Sequence, residues 1–156
     1  MRFHDKITLL SFELFRFIDG DNFHSKMCVE KMSKGVGLSD DDRKEWLEML
    51  SHFGDQTDKQ VVLACSALKK KYRQVLTGDR TDEDCQILIL TADRKELEQR
   101  LASRKNHYAK TSLLDSQLET LELPVDDETN VQQIDVTNTI DQVIDEIVQR
   151  LTQKRH

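Results

Sequence analysis

The sequence predicts an α/β protein, a three-layer parallel sheet with helices on both faces. Three observations carry this. Two continuous apolar runs, Gln60-Val61-Val62-Leu63-Ala64-Cys65 and Gln86-Ile87-Leu88-Ile89-Leu90, have the unbroken, β-branched character of strands buried on both faces. Each is followed by apolar residues at helical spacing, Leu68, Tyr72, Val75 and Leu76 after the first, Leu97 and Leu101 after the second. This strand–helix alternation, which starts at Phe17 and ends with a last strand and helix, is the order that covers both faces of a parallel sheet.

The elements follow in order. Residues 1–16 are atypical: Ile7-Thr8-Leu9-Leu10 reads as a short strand, or Leu10, Glu13-Leu14 and Phe17 as the end of a helix. Phe17-Ile18 then leads a short strand into Asp19-Gly20-Asp21. Two carboxylates two residues apart on a strand point the same way. One suits a hydrated cation and the other a substrate hydroxyl; the same residues also read as a polar turn with Asp21 or Asn22 as a helix N-cap. Phe23 to Met32 reads as a short helix stopped near Gly35. Ser39 with Asp42 is close to a capping box, and acids at 40, 41 and 42 suit the positive end of the next helix. Trp46, Leu47, Leu50 and Phe53 give that helix its apolar face, with Trp46 read as core.

The run at 60–65 ends in Ser66, and Ala67 to Thr77 reads as a helix stopped by Gly78. Ligands of open parallel sheets gather at the carboxyl ends of strands, which places Ser66, Lys69 and Arg73 where a substrate could lie. Capping by Ser66 and solvated charge on the lysines are the alternative readings. The run at 86–90 leads to a helix from about Asp93 to Lys105. Its Arg100 and Arg104, four apart, share a face; they suit phosphate oxygens or salt bridges to Glu96 or Glu98. Leu114, Leu118 and Leu121 face one way on a further helix. Asp126-Asp127-Glu128 reads as a solvated loop and not a metal site. Val131 to Val136 is the last strand, and Ile140, Val143, Ile144, Ile147, Val148 and Leu151 form the stripe of a final core helix.

With 156 residues the chain reads as a single domain, 1–156, with enough length to bury a core. A net charge of -6 argues against nucleic-acid binding, and Lys69-Lys70-Lys71 is its one basic run. No stretch approaches the roughly 18 apolar residues of a membrane span, and the opening fifteen residues show no export signal. A cytoplasmic location is expected. Cys28, Cys65 and Cys85 have no zinc-like spacing and are expected as reduced thiols.

The residues from Phe17 to Leu47, FIDGDNFHSKMCVEKMSKGVGLSDDDRKEWL, resemble the signature of the gluconokinases, small P-loop kinases of a sugar acid. The resemblance continues at Ala64-Cys65-Ser66-Ala67-Leu68-Lys69-Lys70 with Tyr72-Arg73, at Arg100-Leu101, Arg104 and His107, and at Ser116 to Glu122, closing at Pro124. Ser25, Cys28, Gly37, Glu45 and Leu118 depart from the pattern; Cys28 removes an amide that the pattern has near the pocket.

The resemblance implies a nucleoside-monophosphate-kinase-like fold and transfer of the ATP γ-phosphoryl group to the 6-hydroxyl of D-gluconate. It assigns Asp21 to that hydroxyl as the catalytic residue and Asp19 to hydrated Mg²⁺. His24, Arg43, Ser66 and Lys69 shape the sugar-acid site. Arg100, Arg104 and His107 close over ATP, within a lid segment and following helix at about 104–124. A homodimer is compatible with the family.

A P-loop kinase needs a G-x-x-x-x-G-K-[ST] loop between a strand and a helix, and the 156 residues contain none. A strand–helix–strand unit takes roughly 30 residues, and sixteen precede Phe17. The chain therefore reads as truncated at the first strand–P-loop–helix. The resemblance places that strand between those at 60–65 and 86–90, where apolar surface stays open unless residues 3–10 fill it. Because the loop supplies the phosphate-cradling amides, lysine and Mg²⁺ hydroxyl, this chain is expected to be a very poor kinase or none. The alternative is a catalytically inactive sugar-acid-binding or interaction module derived from that kinase.

Overall fold

The computed structural model describes residues 15–56, 60–103 and 112–153. The expectations for residues 1–14 and for the opening of the lid segment, Arg104 and His107 included, lie outside them.

Strand β1 (Phe15–Asp19) pairs in parallel with β2 (Gln60–Ala64), Phe17 opposite Val62. Strand β3 (Ile87–Thr91) pairs in parallel with β4 (Val131–Asp135), Ile89 opposite Gln133. Among the described residues no strand hydrogen bonds join β2 to β3, so the sheet consists of two parallel pairs.

Between β1 and β2 lie α1 (Lys26–Ser33) and α2 (Asp40–Ser51). α1 starts later than the sequence suggests. Gly20–Phe23 forms a separate 3-10 turn, and the Ser25 hydroxyl caps the helix by accepting from the Cys28 N–H at 3.2 Å. Gly35, at φ 77°, stops it in the left-handed region that suits glycine. α2 has the full capping box: Ser39 Oγ accepts from Asp42 N–H at 3.2 Å, and Asp42 Oδ2 accepts from Ser39 N–H at 2.9 Å. Two helix-end donors are thereby satisfied reciprocally.

Helix α3 begins at Lys70 and not at Ala67 (Lys70–Thr77). Lys69 is extended, with φ -104° and ψ 150°, and offers no cap of its own. The cap comes from a distant residue: Glu122 Oε2 accepts from the Lys70 N–H at 2.7 Å. Carboxylates are favourable at a helix N-terminus. Helices α4 (Arg94–Ser103) and α5 (Ser112–Thr120) follow β3, and α6 (Ile140–Gln153) follows β4.

The main core joins one face of the β1–β2 pair to α2 and α3. Ile18, Trp46, Leu47, Leu50, Phe53, Tyr72 and Leu76 are all buried there, with Val61 and Leu63 packed against them. The helical spacing of the α2 residues is what brings them to this face. A second cluster of Ile134, Val136 and Val143, with Leu88 and Ile147, seats α6 on the other pair. β2 and β3 nevertheless remain largely half-buried, although their unbroken apolar sequence suits burial on both faces. No helix among the described residues is long and apolar enough to cross a membrane. Cys28, Cys65 and Cys85 are free thiols.

Candidate functional site

The carboxyl ends of β1 and β2 bring together most of the residues singled out above. Asp19 is the last residue of β1, and Asp21 falls in the 3-10 turn. Strand alternation therefore does not set their relative direction, which corrects the sequence-based argument. Asp19 instead caps the turn, its Oδ1 accepting from the Asp21 N–H at 3.1 Å. The turn is pressed close against β2. A Cβ on Gly20 would meet Ala64 O and Cys65 Cβ at 3.0 Å and Leu50 Cδ1 at 3.2 Å. Trp46 fixes it from below, its indole N–H donating to Gly20 O at 2.8 Å.

The Trp46 ring also carries His24, stacked at 4.2 Å between centroids and 16° between planes. Trp46 is thus core, as read, and a stacking surface as well. The His24 side chain is 3 % exposed, and its Nε2 lies 3.9 Å from Asp21 Oδ1. Burial lowers the His24 pKa below its ordinary value, and this outweighs the raising effect of Asp21; Arg43 lowers it further. Burial disfavours the charged imidazolium, so His24 is neutral at neutral pH. Its Nδ1 is buried with no hydrogen-bond partner among the described residues. That nitrogen is enclosed, so the ring stands as a neutral wall beside the Asp21 carboxylate.

Arg43 is buried at 8 % exposure, donates to Leu38 O, and lies 5.5 Å over the Tyr72 ring. Lys69, at the end of the extended 65–69 turn, is anchored by Asp40, with Nζ 2.9 Å from Oδ1. Ser66 lies half-buried in the same turn. Asp21, His24, Arg43, Ser66 and Lys69 therefore all belong to the loops and helix starts at one end of the β1–β2 pair. Open parallel sheets bind ligands at that end.

Three residues take other roles. Arg73, placed by sequence near the substrate, is a structural clamp: its Nε and Nη2 engage the Glu128 carboxylate at 2.6 and 2.8 Å. Its Nη1 donates to the carbonyls of Ala67, Leu68 and Glu122. Glu128 is correspondingly buried, its side chain 6 % exposed, and not solvated. Arg100 donates to Glu96 Oε1 at 2.7 Å and to the Val136 carbonyl, the salt-bridging alternative of the sequence reading.

No group of three or more His, Cys, Asp or Glu among the described residues is arranged to hold a metal ion. Mg²⁺ is commonly held by one or two carboxylates together with substrate phosphates. Asp19 can supply only one carboxylate, and one of its oxygens already caps the turn. A metal at Asp19 would therefore take its remaining ligands from nucleotide phosphates and water. Asp40 accepts from the Tyr72 phenol, and no local sequence signal marks their meeting, since they lie 32 positions apart.

No family model matches the chain. It is 38 % identical over 141 residues to a probable gluconokinase of Dictyostelium discoideum, covering 84 % of this chain and 70 % of that one. It is 39 % identical to the thermoresistant gluconokinase of Escherichia coli K12, covering 82 % and 74 %. Among solved structures, it resembles a gluconokinase from Sinorhizobium meliloti 1021 with a TM-score of 0.76 at 33 % identity, covering 89 % and 78 %. An unliganded sugar kinase from Janibacter sp. HTCC2649 gives 0.77 at 31 % identity, covering 86 % and 78 %.

Proposed function

The chain belongs to the gluconokinase family of phosphotransferases, and we propose that its described residues form the acceptor half of such a site, binding D-gluconate. The observation that carries this is the grouping of Asp21, neutral His24, buried Arg43 and anchored Lys69 at one end of the β1–β2 pair. Asp21 lies at the 6-hydroxyl and takes its proton as the oxygen attacks, the role of a positioned carboxylate base. His24 lines this end of the site as a neutral ring beside Asp21. Ser66 meets the polyol from the 65–69 turn, while Arg43 and Lys69 hold the acid's carboxylate.

ATP is the phosphoryl donor in this reading. Its γ-phosphoryl transfer depends on positioning and charge stabilisation, which Arg104 and His107 would serve only in part, Arg100 being engaged by Glu96 and the Val136 carbonyl. The 156 residues hold no G-x-x-x-x-G-K-[ST] run to cradle the β- and γ-phosphates. Asp19 would act on Mg²⁺ only through a nucleotide held by such a cradle. Gluconate binding is accordingly the better supported half of the reaction, and turnover by this 156-residue chain should be very low.

Calorimetric titration of the folded chain tests this. Gluconate should bind, its neutral counterpart sorbitol should bind more weakly, and Mg-ATP should give little heat. A folded sample that takes up no gluconate would overturn the assignment. Tight Mg-ATP binding with rapid turnover would overturn the half-site reading.

A further inference from the structure

Lys69, Lys71 and Tyr72 stand at the start of α3, and their polar heads converge on one acceptor. That acceptor is the carboxylate of Asp40, the first residue of α2. Lys69 Nζ is 2.9 Å from Oδ1, the Tyr72 phenol donates to the same oxygen, and Lys71 Nζ pairs with Oδ2. The same Tyr72 ring has the Arg43 guanidinium 5.5 Å from its centroid and the two ammonium groups at 5.6 and 5.9 Å. Each lies within cation–π reach. Three cations thus surround one phenol, and two of them, Lys69 and Lys71, share the Asp40 carboxylate with it. Charge-assisted donors converging in this way are what recognises a carboxylate, and here the pocket is seen holding one.

The donors of Lys71, Tyr72 and Lys69 hold the Asp40 pKa well below the usual carboxylate range, so Asp40 is an anion throughout the working pH range. Its side chain is 42 % exposed, which leaves the pocket open to solutes.

We propose that Asp40 is an internal stand-in for the substrate's carboxylate, a specificity-determining residue that a sugar acid displaces from Lys69, Lys71 and Tyr72 when it binds. This rests on the reading that this end of the sheet takes a sugar acid. A simple carboxylate offers only what Asp40 already supplies from a tethered position, where its effective concentration is high. An aldonic acid brings hydroxyls as well, for Asp21, and so prevails. Selectivity arises from the difference between the two.

Asp40→Asn and, as a second variant, Asp40→Ser test this, each checked for an unchanged far-ultraviolet spectrum. Each is titrated with gluconate, lactate and sorbitol. Removing a partly exposed competitor for two lysines should tighten gluconate binding about tenfold. It should also make lactate binding measurable and leave sorbitol unchanged. Unchanged or weaker gluconate binding, with no lactate binding, would overturn the proposal while leaving the acceptor site standing if the parent chain binds gluconate. Lactate binding gained by the variants of a parent chain that ignores gluconate would support the stand-in and remove gluconate as its acid.

Discussion

Replacing Arg73 with methionine should be among the most damaging single changes in the described structure. The Arg73 and Glu128 side chains are 1 % and 6 % exposed, and the guanidinium makes two bonds to the carboxylate and three to carbonyls. Methionine fills similar space but leaves the buried Glu128 without its guanidinium, with one backbone N–H, from Val125 at 3.3 Å, still donating to it. Removing one partner of a buried pair costs about 3–5 kcal/mol. For a domain of this length each kcal/mol lowers the melting temperature by roughly 2–4 °C, giving a fall of about 6–20 °C. The acid limb should change too. Arg73 holds the Glu128 carboxyl below its ordinary value. A depressed carboxylate stabilises above the unfolded-state value, and that contribution disappears as pH falls through the folded one. In Arg73→Met this part of the pH dependence should flatten or reverse. Urea unfolding at neutral and acid pH reads both effects. The double variant Arg73→Met/Glu128→Leu should recover much of the loss, because apolar replacement of a whole buried pair is often tolerated. A loss below about 1 kcal/mol, the scale of an exposed pair, would refute the reasoning. So would a double variant no more stable than the single.

The buried imidazole of His24 should titrate below its ordinary value in an NMR pH series. Since its folded-state pKa is depressed, stability should be intact above about 6.5 and decline as pH falls from there; His24→Phe, which keeps a ring on Trp46, should flatten that limb. Gly20→Ala should cost about 1–3 kcal/mol through overpacking against Ala64, Cys65 and Leu50, seen as a lowered urea midpoint. Burial pushes the Cys65 thiol up to about 12, so native protein should alkylate slowly there in mildly alkaline buffer and rapidly in urea. Rapid native labelling would contradict the burial.

What the sequence reveals and what it hides divide along chain separation. The α2 capping box is legible because Ser39 and Asp42 are three apart and the chemistry is local. The buried stripe of Trp46, Leu47 and Leu50 is legible for the same reason. The start of α3 is not: its cap comes from Glu122, 52 residues on. Arg73 and Glu128 lie 55 apart, so an acidic run that looks solvated contains a buried anchor. At the site, composition and motif single out Asp19, Asp21, His24, Arg43 and Lys69. Yet a strand period assumed through Gly20 misplaces Asp21, because the backbone turns into a 3-10 helix one residue earlier. The stacking of His24 on Trp46 and the meeting of Asp40 with Tyr72 arise from helix packing, which no spacing rule encodes.

The clasp between residues 121–128 and the start of α3 also dictates an order of events. Glu122 binds the 68–73 stretch three times, through its N–H to Leu68 O at 2.8 Å, its carboxylate to Lys70 N–H and its carbonyl to Arg73. Asp127 and Glu128 add Lys70 and Arg73. Closing so long a loop is entropically costly and comes late when contacts are distant in sequence. During synthesis, β1, β2 and α2 will have left the ribosome well before residue 122 exists. The turn that carries Ser66 and Lys69 therefore acquires its final shape only when the far side of the clasp emerges, and the pocket is completed after the scaffold beneath it.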